Sequence, residues 1–264
     1  KNFIKLFIPP IFYPGVLREI RNKIFFKKKT KKFFDYEKNF YKRHAFINKA
    51  ISNYKDCKYL EIGVQNNDVF NSIPLKIENK FGVDPVSGGN FKMTSDDFFK
   101  KFPDLKFDVI FIDGLHEYKQ CQKDCVNAMK QLNTNGVILF HDLLPRSYFE
   151  EHVPRKQSSW TGNIWRVAVE LSNSKNVDFK IINIDMGLGI LKLKEGFSYK
   201  IMDELKNKTF YDHYLSNIKC VQNIADLSIQ KKNAPIINLS TISVYKKNNH
   251  IINENNSISK STYL

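Results

Sequence analysis

Two short runs hold the residues best suited to moving a proton or holding a cation. FDVIFIDGLHEY (residues 107–118) begins as an apolar strand and ends with Asp113, His116 and Glu117 close together. GVILFHDLLP (residues 136–145) repeats the pattern, with His141 and Asp142 where its apolar run stops. An imidazole titrates near neutral pH and suits general base work, while carboxylates hold cations and orient donors. Taken singly, Asp113 also suits a helix cap and Asp142 a turn. Their joint placement just past strand ends is what asks for a common site.

The flanking patterns say what positions them. KYLEIGV, KFGVDPV, FDVIFIDG and GVILFHDL read as strands, the last two as near-continuous apolar runs typical of strands buried on both faces of a parallel sheet. A third short strand is expected around FKMT, giving way to a helix capped by Ser95 or Asp96. HEYKQCQKDCVNAMKQL places Cys121, Cys125, Met129 and Leu132 at helical spacing, with Asn135-Gly136 as its end. NIWRVAVELSN reads as a helix, and DFKIINID and GLGILKLKE as the last two strands. Strand and helix alternating in this way predict a doubly wound, Rossmann-like α/β sheet of about seven mostly parallel strands with an antiparallel last strand. In such a sheet the ligand sits outside the carboxyl ends of the strands, where Gly63, Asp84, Asp113, His116, His141 and Asp142 all fall.

The first two strands bear on the cofactor. After YLEIG the chain turns on a single glycine, Gly63, and lacks the G-x-G-x-x-G loop that lets backbone approach a pyrophosphate. Asp84 closes the second strand, a position from which a carboxylate accepts hydrogen bonds from a ribose diol. An adenosine-bearing cofactor without pyrophosphate fits both facts.

LEIGVQN, GVDP, TSDDFF, FDVIFIDGLHEY and GVILFHD, in this order and spacing, resemble class I S-adenosyl-L-methionine-dependent methyltransferases. More narrowly, they resemble the branch of macrocin- and mycinamicin-type sugar O-methyltransferases and cephalosporin-hydroxylase-like proteins. The resemblance covers residues 58–195 and implies Glu61 and Gly63 at the methionine end, Asp84 on the ribose, Ser95 and Asp96 near the adenine, and Asp113 beside the cofactor. It further implies a divalent metal held by Asp113, His141 and Asp142, with His116 as general base. Oxygen ligands suit Mg²⁺, and an imidazole in the set admits Mn²⁺ or another transition metal. The family often has glycine where this chain has Asn67, a residue that tolerates left-handed backbone. The implied activity is O-methylation of a small-molecule or glycan acceptor, a sugar hydroxyl above all. The long segment PRSYFEEHVPRKQSSWTGNIW (residues 145–165) follows the fifth strand as a lid would, with Trp160 suited to stacking on a sugar and Arg155 to holding a phosphate.

The chain has 264 residues and a net charge of +15. Residues 1–58 hold sixteen basic against four acidic side chains, so the rest is close to neutral. That distribution argues against a nucleic-acid methyltransferase, which needs a basic stripe along its catalytic body. It points instead to residues 1–57 as a basic segment, with a short amphipathic helix over residues 16–26 that could dock on an anionic membrane surface or on an acidic partner. A third alternative is a non-catalytic protein of the same fold that binds a partner through this segment. Cys57, Cys121, Cys125 and Cys220 form no disulfide framework, which favours a cytoplasmic setting. No run reaches the roughly 18 apolar residues of a membrane span. Residues 58–196 form the expected catalytic domain and residues 197–264 a helical extension and polar tail, with a helix near residues 199–205. No feature specifies an oligomer.

Overall fold

The computed structural model describes residues 42–210 together with Ile20, Ile24 and His213. The docking segment expected over residues 16–26 and the polar tail therefore lie outside the described residues, apart from Ile20 and Ile24, which are exposed.

In chain order the elements are α1 (Arg43–Ile51), β1 (Tyr59–Ile62), α2 (Asp68–Ser72), β2 (Lys80–Val83), α3 (Ser95–Lys101), β3 (Phe107–Ile112), α4 (Tyr118–Gln131), β4 (Leu132–Phe140), α5 (Tyr148–Glu151), α6 (Trp165–Ser172), β5 (Lys175–Ile182) and β6 (Leu188–Ser198). One six-stranded sheet runs in the order β2-β1-β3-β4-β6-β5. β2, β1, β3 and β4 are parallel, and β6 lies antiparallel between β4 and β5. The sheet is the doubly wound one the alternation predicts, with an antiparallel last strand but, among the described residues, six strands instead of about seven.

The absent strand is the one expected at FKMT. Phe91 makes one parallel bridge to Val83, and the chain then turns at Met93 into the helix cap with no length left for a ladder. That cap is Thr94, whose Oγ1 accepts from the backbone N–H of Asp97, and not Ser95 or Asp96. The helix expected over residues 199–205 shortens to a single 3₁₀ turn, Asp203–Leu205. Just before that turn the Met202 N–H donates to the Glu170 carboxylate at 2.8 Å. α4 ends at Gln131 and not at Asn135-Gly136, since Leu132 already pairs with Phe107.

Side-chain alternation in β3 divides the core between the two faces of the sheet. Ile110 and Ile112 join Phe98 of α3, Cys125 and Ala128 of α4 and Val167 of α6. Val109 and Phe111 join Ile47 and Ile51 of α1 and Phe70 of α2. Cys121 and Cys125 are packing residues on the inner side of α4, both buried, and burial raises both thiol pKa values. Each fully buried aromatic such as Phe98 or Phe107 contributes about 2–3 kcal/mol. The result is a rigid sheet, and its carboxyl edge is where the polar residues gather. Among the described residues no helix is long and apolar enough to cross a membrane.

Candidate active site

Register aligns the strand ends. Val83, Ile62, Ile112 and Phe140 lie in one row across the sheet, so the residues that follow, Asp84, Gly63, Asp113 and His141, emerge side by side. The ladder continues one residue further through Gly63 N to Val83 O, Asp113 N to Ile62 O and His141 N to Ile112 O. Gly63 has φ +84, and a Cβ there would collide with the backbone of Asp113. Only glycine lets β1 and β3 open their crevice at this point.

In a regular strand His141 and Asp142 would face opposite sides. Asp142 has φ +60, which breaks the alternation and lets both side chains enter one cluster. A non-glycine residue in this conformation costs about 1–3 kcal/mol, a strain typical of functional sites. His141 Nδ1 lies 3.3 Å from Asp113 Oδ1 and 3.1 Å from Asp142 Oδ1. His116 Nε2 lies 3.5 Å from Asp113 Oδ1 and 3.3 Å from Asp142 Oδ2. The four residues singled out at the ends of β3 and β4 thus meet.

Two further residues complete the cluster. Asp185, in the turn between β5 and β6, has its Oδ2 3.7 Å from His141 Nε2. Arg43, at the start of α1, spans Asp113 Oδ2 at 2.6 Å and Asp185 Oδ2 at 2.9 Å. Burial opposes the charge on Asp113, yet His141, His116 and Arg43 outweigh it and hold the carboxyl well below the usual range. Asp185 is likewise lowered against its burial, by His141 and Arg43. Burial lowers both imidazole pKa values, but for each ring the carboxylates win and the net shift is upward.

Whether this cluster suits a metal ion follows from its donors. Among the described residues, Asp113, His141 and Asp142 offer ligand atoms all within 4.8 Å of one another. His141 Nδ1, His141 Nε2 and Asp142 Oδ1 are buried without a hydrogen-bond partner. Buried polar atoms are ordinarily paired, and atoms that converge unpaired are what an ion would satisfy. The residues fit a divalent ion.

The residues expected to border the cofactor lie in and around the turns after β1 and β2. Asp84 Oδ2 accepts from Gln65 N at 3.0 Å, and Oδ1 accepts from Val86 N and Ser87 N, both at 2.8 Å. Burial opposes its charge, but these backbone donors keep its pKa below the ordinary value. Asp84 thus secures the turns that follow β1 and β2. Asn67 takes the left-handed conformation, φ +68, and its Oδ1 accepts from Gly89 N at 2.7 Å. Glu61 points into the core and accepts from Tyr59 Oη at 2.7 Å, with burial pushing its pKa up to about 8. Ser95 and Asp96 share the Gln120 side chain with Asp124. Asp124 is buried, with its pKa pushed up by that burial to about 6. The spacing of α4 carried no signal for it.

The segment over residues 145–165 packs onto the cluster. His116 Nδ1 lies 3.0 Å from the carbonyl oxygen of Trp160, and the two rings approach to 5.2 Å between centroids. Trp160 Nε1 donates to His152 O at 2.8 Å. Arg155 is engaged by the carbonyls of Gln157 and Ser158. Gly162 has φ +63, and a Cβ there would collide with the His116 carbonyl.

Residues 77–143 match the model of a family described as a methyltransferase domain. The matched stretch includes Asp84, Ser95, Asp96, Asp113, His116, His141 and Asp142. No curated protein matches the sequence. Similar solved structures include an O-methyltransferase from Bacillus cereus in complex with SAH, 14% identical, with a TM-score of 0.44 over 72% of this chain and 94% of that one. The SAH-bound methyltransferase PaMTH1 of Podospora anserina is 15% identical, TM-score 0.40, over 58% and 78%. The MycE methyltransferase of the mycinamycin biosynthetic pathway, in complex with Mg, SAH and mycinamycin VI, is 12% identical, TM-score 0.40, over 70% and 57%.

Proposed function

We propose that the chain, a class I S-adenosyl-L-methionine-dependent methyltransferase, methylates a hydroxyl group on a sugar of a glycan, a nucleotide-sugar or another small hydroxylated metabolite. The observation that carries this reading is the convergence of His116, Asp113, His141 and Asp142, with His141 and Asp142 atoms buried and unpaired. Asp113, His141 and Asp142 would hold the ion, and Gly63, Asp84, Ser95 and Asp96 would border the cofactor, with Glu61 behind them. When bound, a divalent ion such as Mg²⁺ or Mn²⁺ supplies charge that lowers a hydroxyl pKa, and the cofactor supplies an electrophilic methyl group.

The side chains do the rest. A carbonyl only accepts hydrogen bonds, so the contact with Trp160 O keeps a proton on His116 Nδ1 and leaves Nε2 as the basic atom. Nε2 would take the proton of the acceptor hydroxyl and leave that oxygen free to be methylated. Asp113 and Asp142, both within 3.5 Å of Nε2, stabilise the imidazolium that forms. The segment over residues 145–165 covers one side of this ring through Trp160.

Residues 58–196 form the catalytic domain in this reading, with Arg43 supplied from the preceding segment. Docking of the basic N-terminal stretch on an anionic membrane surface is part of the same proposal, supported by its charge. The test is incubation with methyl-labelled cofactor and a panel of sugars, nucleotide-sugars, catechols and nucleic acids. Label in a sugar product supports the assignment, and label only in nucleic acid would replace it.

A further inference from the structure

We propose that Asp185, anchored by Arg43, is the outer partner of His141, and that the pair makes this a centre for a first-row transition ion in preference to Mg²⁺. The inference rests on reading the cluster as a metal centre.

A neutral imidazole ligand binds through one nitrogen and keeps its proton on the other. The carboxylate facing that N–H sets the tautomer and raises the basicity of the ligating atom. His141 has this disposition. Its side chain is 2% exposed, Nδ1 lies among the carboxylate oxygens of Asp113 and Asp142, and Nε2 lies 3.7 Å from Asp185 Oδ2, within ion-pair reach. Among the described residues neither ring nitrogen has a hydrogen-bond partner.

Asp185 is itself held in place. Its Oδ2 accepts from Arg43 N at 3.0 Å and Nε at 2.9 Å, and the same guanidinium reaches Asp113 Oδ2 at 2.6 Å. The turn is pinned as well, since Leu144 N donates to Met186 O and Leu143 N to Gly187 O. Asp185 and Met186 take φ +42 and +64, an unfavourable backbone that the surrounding contacts maintain. Mg²⁺ favours an all-oxygen shell, whereas an imidazole ligand of raised basicity shifts preference to ions further along the first row.

Calorimetric titration of the full chain, freed of metal and without cofactor, with Co²⁺ and with Mg²⁺ tests this. Wild type is expected to favour Co²⁺, and His141→Asp to narrow the Co²⁺-to-Mg²⁺ affinity ratio at least about tenfold. Asp185→Asn is expected to weaken Co²⁺ about 10–100-fold while moving Mg²⁺ little. Asp142→Asn should lose both ions. Unchanged Co²⁺ affinity in Asp185→Asn, or equal losses for both ions, overturns the role of Asp185 while the metal centre stands. Failure of wild type to bind either ion overturns the metal centre, and the inference with it. Should Asp185→Asn fail to fold, the Co²⁺-loaded wild type still decides. A paramagnetically shifted imidazole N–H resonance that vanishes in D₂O is expected, and its absence overturns the inference.

Discussion

His116 directs Nδ1 at the carbonyl oxygen of Trp160, 3.0 Å away, and thereby turns Nε2 toward Asp113 and Asp142. The carbonyl belongs to a segment that follows β4, so the end of one strand sets the tautomer of a residue at the end of another. His116→Ala is expected to lose roughly 10²–10⁴-fold in kcat with cofactor affinity unchanged. In wild type, kcat should rise with pH as the ring loses its proton, and that limb should be absent from the variant. Gly162→Ala should also lower kcat, because its Cβ displaces the His116 backbone. A pH-rate profile of the three proteins checks both. A His116→Ala enzyme of wild-type rate would sink the base assignment.

Asp142→Asn tests the cluster without touching the cofactor loops. It removes one charge from the group Asp113, His141 and Asp142. Transfer should fall at least about 10²-fold, and S-adenosyl-L-methionine affinity should change less than about threefold. Excess EDTA on the wild type should act in the same direction. Full activity in EDTA would take the ion out of the mechanism.

The convergence of Asp113, His116, His141 and Asp142 was legible from spacing, because they sit just after apolar runs typical of buried strands. Asp185 was missed although its turn follows β5, which runs in the same direction as β4 and so ends at the same edge. Its signal was present in IDMG, a carboxylate in a glycine turn between two strands. Arg43 had no comparable signal. Its charge merged with the basic run around it, and only the docking of α1 on the sheet brings it to Asp113. The sheet was legible except at FKMT, where a single bridge was mistaken for a strand because apolar residues there pack against Phe98 and Phe102 without a ladder.

Glu61 makes stability depend on pH. Its carboxyl titrates at about 8 in the folded chain against an ordinary value of 4.5. Between those values the folded state holds a proton that the unfolded state has lost. Stability is therefore greatest below about pH 4.5 as far as this group is concerned, falls as pH rises through the window, and levels above about 8. Glu61→Gln, which mimics the protonated acid and can still accept from Tyr59, should stabilise the fold by on the order of a few kcal/mol at pH 8.5 and far less at pH 5. Denaturant melts of both proteins at the two pH values would reveal it. An equal difference at both would mean that Glu61 ionises normally.

Asp84→Ala should weaken S-adenosyl-L-methionine binding about 10–100-fold, the loss of a charged acceptor contributing about 1.5–3 kcal/mol. It should also lower the melting temperature, because Gln65, Val86 and Ser87 lose their common acceptor. Calorimetry and a thermal melt separate the two effects. Unaltered cofactor affinity would place the ribose elsewhere.

The carboxyl group of Glu170 is fully buried and, among the described residues, accepts from uncharged donors, Tyr118 Oη at 2.6 Å, Gln122 Nε2 at 2.9 Å, Tyr199 Oη and Met202 N at 2.8 Å. Two of these come from the stretch that follows β6. Were that stretch to peel away, the buried carboxyl group would lose two of its hydrogen-bond partners, which costs about 1–3 kcal/mol for each buried acceptor left unsatisfied. Fraying from this end is therefore penalised, and residues 199–202 should open only together with α4 and α6 as one cooperative unit. The segment after the last strand is an integral lock on the helix that begins two residues beyond His116.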